Sequence, residues 1–239
     1  MNYIKVGEGK DFVVFLHGWG ADLNSFYWLK NIYNDKVMLF VDFAGFGKTP
    51  EPTKPYFVSD YVVELKQLLD SFEIESLYLV GHSFGGRVAI KYSCFYQNCY
   101  TKFKLCLIDS AGIIPRRNLI YYYKVWKYKR LKKKANNSIR TQNMIMKMGS
   151  NDYKKLSKIM KQTFVNVVNE DLIPYAKHIK TETKLIWGEK DKETKIYMAK
   201  KLNRAIKNSK LYILEKAGHF SFLDNKSDFL ILLDTFIKN

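Results

Sequence analysis

The chain has 239 residues, 40 Lys and Arg against 23 Asp and Glu, and a formal charge of +17 at pH 7. That length suits one large domain or two small ones, and a composition 47% hydrophobic and 15% aromatic excludes disorder and supplies a core. No stretch nears the ~18 apolar residues of a membrane span, and three cysteines (Cys94, Cys99, Cys106) without metal-ligand spacing exclude a disulfide scaffold and point to a reduced cytoplasm.

The chain starts with a charged, strand-like segment, Met1–Lys5, that lacks the apolar core of a signal peptide. Short continuous apolar runs then recur at Phe12–Leu16, Val37–Val41, Leu77–Val80, Leu105–Ile108, Lys184–Trp187 and Leu211–Leu214. Runs of this length fit strands buried on both faces of a mostly parallel sheet. Amphipathic stretches lie between them. After Ser59, read as an N-cap, Val58, Tyr61, Val62, Leu65, Leu68, Leu69 and Phe72 recur at helical spacing, and residues 84–96, 194–206 and 227–237 read the same way. Pro50, Pro52 and Pro55 mark a stiff surface loop. Strand–helix alternation predicts a doubly wound α/β sheet, with ligands bound beyond the carboxyl ends of its strands.

The alternation stops between residues 114 and 180, where helical-looking pieces at Asn118–Lys134 and Tyr153–Asn169 replace strand runs. This stretch holds 17 basic residues against three acidic ones, hence 14 of the 17 net charges. The rest of the chain is nearly neutral. The simplest account is one domain, 1–239, with a core of 1–112 and 181–239 and a helical insertion at 113–180.

Four motifs follow apolar runs. Gly81-His82-Ser83-Phe84-Gly85-Gly86 places a serine between a strand and a helix. A sharp turn there needs small residues at −2 and +2, and it exposes the hydroxyl near a helix N-terminus that favours developing negative charge. By itself this pattern recurs by chance; the strand before it and the helix after it give it weight. His17-Gly18-Trp19-Gly20 follows the first run, and its glycines let the loop turn an N–H toward the serine as an oxyanion donor. Trp187-Gly188-Glu189-Lys190-Asp191 and Ala217-Gly218-His219-Phe220 follow two late runs. A serine hydroxyl needs a base, and the base needs a carboxylate to hold its tautomer. Ser83, Asp191 and His219 each lie just beyond a different strand and so converge on one sheet edge. Asp109, at the end of the run 105–108, is the competing acid.

These motifs, in this order, resemble those of the α/β-hydrolase superfamily, in a cap-bearing, esterase-like branch, and the resemblance spans nearly the whole chain. Asp42-Phe43-Ala44-Gly45-Phe46-Gly47-Lys48-Thr49 is similar to that family's D-x-x-G-x-G-x-S turn, with Thr49 in the place of Ser. The resemblance implies an α/β-hydrolase fold with Ser83 as nucleophile, Asp191 as acid and His219 as base. It implies an oxyanion hole made by the Trp19 and Phe84 amides, and a helical cap at 113–180 above them. The expected function is a serine hydrolase, a carboxylesterase acting on small to medium acyl esters through an acyl-enzyme. No cofactor and no metal are expected. Two alternatives stand beside it: cleavage or elimination at a C–C bond of an anionic substrate, which the basic cap and Arg87 would fit, and a hydrolase-fold ligand receptor.

Arg116–Lys134 holds nine basic residues and no acid, interleaved with Tyr121, Tyr122, Tyr123, Trp126 and Tyr128. The favoured reading is a cap helix whose aromatics line the pocket and whose lysines are solvated. A lipid-surface helix or an anion funnel competes with it, and AT-rich codon usage would also enrich lysine. No nucleic-acid partner is expected, since no nucleic-acid fold accompanies the charge. Oligomeric state is open. His82 reads as a support beside the serine turn, His178 as structural or exposed, Arg87 as a surface or packing cation, and the cysteines as small buried hydrophobes.

Overall fold

The protein is described here by a computed structural model covering residues 1–115, 119–134 and 155–238. Seven strands, β1 (Asn2–Val6), β2 (Asp11–Leu16), β3 (Val37–Asp42), β4 (Ser76–His82), β5 (Lys102–Ile108), β6 (Thr183–Gly188) and β7 (Ser209–Leu214), form one sheet in the order β1-β3-β2-β4-β5-β6-β7. All neighbours are parallel except β1, which pairs antiparallel with β3. All but one of the runs read as continuous apolar segments occupy the middle of this sheet, the exception being Leu211–Leu214 in the edge strand β7; β3 and β6 are buried at every residue, because helices cover both faces. At the rims one face is open, so β1 alternates between partly buried and exposed residues.

The helices are α1 (Asn24–Tyr27), α2 (Val58–Leu69), α3 (Phe84–Tyr96), α4 (Leu119–Lys134), α5 (Lys158–Asn169), α6 (Ile173–Ala176), α7 (Ile196–Ala205), α8 (Ser221–Asp224) and α9 (Lys226–Lys238). Successive strand side chains point to opposite faces, and β2 shows the result. Phe12, Val14 and Leu16 pack with Tyr61, Leu65, Val88 and Leu202 of α2, α3 and α7 on one side. Val13 and Phe15 pack with Phe26, Phe222, Phe229 and Phe236 of α1, α8 and α9 on the other. The sheet is therefore doubly wound, as expected.

Three sequence readings are corrected and one is narrowed. Helix α2 begins at Val58 with Phe57 as its N-cap, so Ser59 already lies in the first turn. The cap bond is supplied from inside the helix, by the Asp60 carboxylate accepting from the Phe57 amide at 2.7 Å. Of the cysteines only Cys106 is buried; Cys99 is exposed and Cys94 is intermediate. Helix α5 starts at Lys158, where the Ser157 hydroxyl accepts from the Met160 amide at 3.1 Å; Asn118, Tyr153 and Lys154, read as helical, lie outside the described residues. Of the two readings of Arg87, a surface or a packing cation, the structure bears out the second. Arg87 is 3% exposed, and its guanidinium donates to the carbonyl oxygens of Glu170 (2.8 Å) and Val168 (3.5 Å).

Helices α4 to α6 all lie in the segment between the adjacent strands β5 and β6. Its two ends are stitched together by the Leu172 amide donating to the Gly112 carbonyl at 2.8 Å. Helix α5 is held to the body at both ends. Near its start Met160 packs over Gly45, where a Cβ would stand 2.5 Å from the methionine Cε. In its middle Thr163 and Asn166 bond the Tyr56 amide and carbonyl at 3.0 and 3.1 Å. At its end sit the Arg87 bonds and an ion pair between Lys91 and Glu170. A helix C-terminus has no intrahelical donors for its last carbonyls, so Arg87 supplies what α5 lacks.

Replacing Arg87 with Leu should therefore leave the α5 carbonyls unpaired and cost about 2–4 kcal/mol of unfolding free energy. Urea titration followed by circular dichroism measures this. A loss below about 0.5 kcal/mol would mean that other donors serve these carbonyls.

Candidate active site

Ser83 sits between β4 and α3 with φ 49° and ψ −109°. This backbone conformation is costly for a residue with a side chain, and its surroundings permit nothing bulkier nearby. A Cβ on Gly81 would come 2.7 Å from the Gly85 carbonyl oxygen, and one on Gly85 would come 2.2 Å from that of Leu16. The turn is also clamped by hydrogen bonds: the Ser83 amide donates to Ile108 O, and the Ala111 amide donates to Ser83 O, both at 3.0 Å. From 79 to 93, Ser83 is the one residue that is not buried.

The structure brings Ser83, His219 and Asp191 together. Ser83 Oγ lies 3.0 Å from His219 Nε2, and His219 Nδ1 lies 2.9 Å from Asp191 Oδ2. Because a carboxylate only accepts, Nδ1 carries the proton and Nε2 is left to accept from the serine. Asp191 is itself held by the Glu193 and Thr194 amides on Oδ1 (2.8 and 2.9 Å) and by the Thr194 hydroxyl on Oδ2 (2.7 Å). Burial alone would raise Asp191, but its bonds from His219 and Thr194 outweigh it and hold the carboxyl below the usual range. The same pairing raises His219: burial pulls it down, while the bond to Asp191 and that carboxylate's charge push it above an ordinary histidine.

Asp109, the competing acid, is committed elsewhere. Its oxygens accept from the Gly188 amide at 2.7 Å and the Ser221 amide at 3.0 Å. Burial drives its carboxyl up to about 7, against the pull of those amides. It joins the end of β6 to the loop that carries His219, two elements that also touch directly. A Cβ on Gly188 would stand 2.0 Å from the Gly218 carbonyl oxygen.

Phe84, one expected oxyanion donor, directly follows Ser83, and the loop of the other, Trp19, comes close to it: a Cβ on Gly18 would stand 3.4 Å from the Ser83 Cβ. Phe84 is the first residue of α3, so no helical carbonyl is available to its N–H. The Gly18–Trp19 peptide is oriented by its carbonyl, which accepts from the Ala21 amide (3.2 Å) and bonds His17 Nδ1 (2.8 Å). His17 Nε2 accepts from the Phe43 amide at 3.1 Å, so Nδ1 holds the ring's proton and donates. Burial holds His17 below the ordinary histidine value, consistent with that neutral ring. Gly18 has no room for a side chain: a Cβ would lie 2.8 Å from His82 Nδ1. His82 is 1% exposed and bonds the His219 carbonyl through Nε2 at 2.8 Å. Burial, helped by the nearby His219, drives its ring down to about 3; His82 stays neutral beside a histidine that can charge.

Asp42 ties this edge together. Its carboxylate accepts from the Leu23 amide (2.8 Å), the Lys48 amide (2.9 Å) and the Asn2 side chain (2.7 Å). Thr49, where the resemblance leads one to expect serine, donates to the Asp42 carbonyl and accepts from the Asn2 amide, both at 2.7 Å. Its extra methyl leaves the hydroxyl free to do both. Above the site, Phe164 of α5 meets Trp19 with ring centroids 5.2 Å apart, and Trp19 in turn meets Phe84 at 5.3 Å. Thr194 went unread in the sequence, although its Asp-x-x-Thr spacing is that of a short side chain closing a turn. His178 is exposed, its Nδ1 on the Pro174 carbonyl at 2.9 Å. Among the described residues no cluster of His, Cys, Asp or Glu could hold a metal ion, and no helix is long and apolar enough to cross a membrane.

Known proteins share this architecture. The family model described as "Alpha/beta hydrolase family" matches residues 13–230. The AB hydrolase superfamily protein YisY of Bacillus subtilis is 25% identical over 261 residues, covering 97% of this chain and 92% of its own. A 2-hydroxy-6-oxononadienedioate/2-hydroxy-6-oxononatrienedioate hydrolase of Pseudomonas putida is 23% identical, covering 96% and 88%. Among solved structures, an esterase from Exiguobacterium antarcticum superposes with a TM-score of 0.76 at 22% identity, covering 99% of this chain and 95% of that one.

The hydroxyl of residue 49 can be tested apart from any reaction. Thr49→Ser should stay within about 0.5 kcal/mol of the parent, whereas Thr49→Val, which loses two part-buried bonds, should cost about 1–2 kcal/mol. Thermal unfolding of the three proteins reads the difference, and a larger loss in Thr49→Ser than in Thr49→Val would assign the effect to the methyl, which Val keeps and Ser lacks.

Proposed function

The chain belongs to the alpha/beta hydrolase family, and from that premise we propose that it is a serine hydrolase, a carboxylesterase acting on small to medium acyl esters. One observation carries this reading: the unbroken line of hydrogen bonds from Asp191 through His219 to the Ser83 hydroxyl. In it, His219 Nε2 takes the proton of Ser83 as Oγ attacks the ester carbonyl. The carbonyl oxygen becomes an oxyanion and accepts from the Trp19 and Phe84 amides, which need no reorganisation because the His17 bond and the α3 terminus already aim them. Collapse expels the alcohol, protonated by His219, and leaves Ser83 acylated. Water, deprotonated by His219, then attacks the acyl carbon and releases the acid and Ser83. Asp191 keeps the imidazole in the tautomer that accepts at Nε2 and stabilises the imidazolium. The segment between β5 and β6 serves as the cap, with Phe164 of α5 as one wall of the acyl site beside Trp19.

The C–C cleavage alternative keeps the basic segment but loses the other feature that favoured it. Arg87, the cation that would have met a substrate carboxylate, is buried and spent on the carbonyls of α5. A carboxylesterase needs no such cation.

Ser83→Ala should abolish labelling by a fluorophosphonate and lower turnover of p-nitrophenyl esters by about 10⁴-fold or more. Asp191→Asn should lose about 10³- to 10⁴-fold in kcat, and Asp109→Asn far less. The reverse order would transfer the acid's role to Asp109, and an unlabelled parent protein would sink the whole reading.

The pH profile gives a second test. His219 must be neutral to accept the proton, and its value is raised. Activity therefore falls as pH drops through that raised value. The acidic limb of kcat/KM should have its midpoint above the ordinary histidine value of about 6.5. A limb below it would contradict the Asp191 pairing.

A further inference from the structure

Helix α4 carries a feature that the reaction leaves unused. Leu119, Tyr122, Tyr123 and Trp126 stand at i, i+3, i+4 and i+7, one stripe along the helix. All four are open to solvent, at 86%, 58%, 60% and 52% exposure. Aromatics on this segment were expected against an acyl pocket; those described point outward. Ile120, beside the stripe, is 62% exposed. The same 16-residue helix has seven basic residues and no acidic one, and Lys127, Lys129 and Arg130 are among its exposed side chains.

We propose that α4 docks on an anionic phospholipid surface, with its apolar stripe in the headgroup–acyl boundary and its lysines and Arg130 on lipid phosphates. A partner for this helix must be both anionic and apolar. A second copy of α4 fails the first condition, since seven like charges would face seven. Single-stranded nucleic acid is anionic but reads aromatics by their open faces, and the Trp126 ring already carries Tyr123 stacked at 6.0 Å and the Arg130 guanidinium at 5.2 Å. Nor would the aliphatic Leu119 and Ile120 gain from stacking. A lipid surface satisfies every group at once: tyrosine and tryptophan suit the interface, aliphatic chains suit the boundary, and long basic side chains reach outward to phosphate. Each basic residue near such a surface adds a similar increment of attraction, which salt screens. This is peripheral contact, and it does not depend on which bond the enzyme cleaves.

Co-flotation of the full chain with vesicles tests the proposal. The protein should float with phosphatidylcholine vesicles containing phosphatidylglycerol, stay behind with pure phosphatidylcholine, and detach as sodium chloride rises. Reversing Lys127, Lys129 and Arg130 to Glu should weaken binding by on the order of 100-fold. Substituting Tyr123 and Trp126 with Ser should weaken it while leaving its salt dependence in place. Both variants should keep the parent's thermal unfolding, and that control separates lost docking from lost folding. Binding to neither vesicle, equal binding to both, or anionic binding that survives the charge reversal would overturn the proposal. So would salt-sensitive binding to a single-stranded oligonucleotide without vesicle binding.

Discussion

A residue with a side chain held at positive φ costs about 1–3 kcal/mol, and Ser83 is held there, at φ 49°, because everything around the β4–α3 turn closes on it. Gly81 and Gly85 lack side chains where carbonyl oxygens stand under 3 Å from any Cβ. The β5 end takes the Ser83 amide, and Ala111 takes its carbonyl. The strain is tolerable only at the middle of the sheet, where β4 is paired on both sides and the turn cannot relax by fraying. The turn thus holds Ser83 out of the burial that surrounds it, partly exposed at the start of α3.

The electrostatics around it are divided sharply. One pair, Asp191 and His219, shares a proton and is shifted in opposite directions, the acid down and the base up. Three other titratable groups of this sheet edge are pushed toward neutrality by burial: His17, His82 and Asp109. These three act through backbone, orienting the Trp19 peptide, the His219 carbonyl and the loop between Gly188 and Ser221 respectively. A buried neutral ring or carboxyl can fix geometry without adding a charge beside the central pair.

Much of this was readable along the chain. The six apolar runs are all strands; in five of them burial on both faces explains the near-continuous apolar sequence, and the sixth, β7, lies at the sheet's edge. The motifs Gly81–Gly86 and His17–Gly20 lie at strand ends because glycine is what such close turns require. What escaped the reading was decided by partners distant in sequence. Arg87 resembles any helix-surface cation until α5, more than 70 residues later, places its open carbonyls above it. Ser59 is a good cap by residue type, yet Asp60 reaches back to Phe57 first and the helix starts two residues earlier than a Ser59 cap allows. Asp109 and Asp191 are equivalent by position after a strand; one faces two backbone amides and the other the imidazole.

The charge divides along the same line. That 14 of the 17 net positive charges fall in one insertion is a property of the sequence alone, as is the order of strands, helices and motifs. Composition and periodicity are local, and they survive any arrangement of the elements. Which way the α4 aromatics face, which carboxylate meets His219 and what Arg87 holds depend on surfaces brought together by folding, because a side chain's exposure and partners belong to the packed molecule and have no counterpart in the chain before it folds.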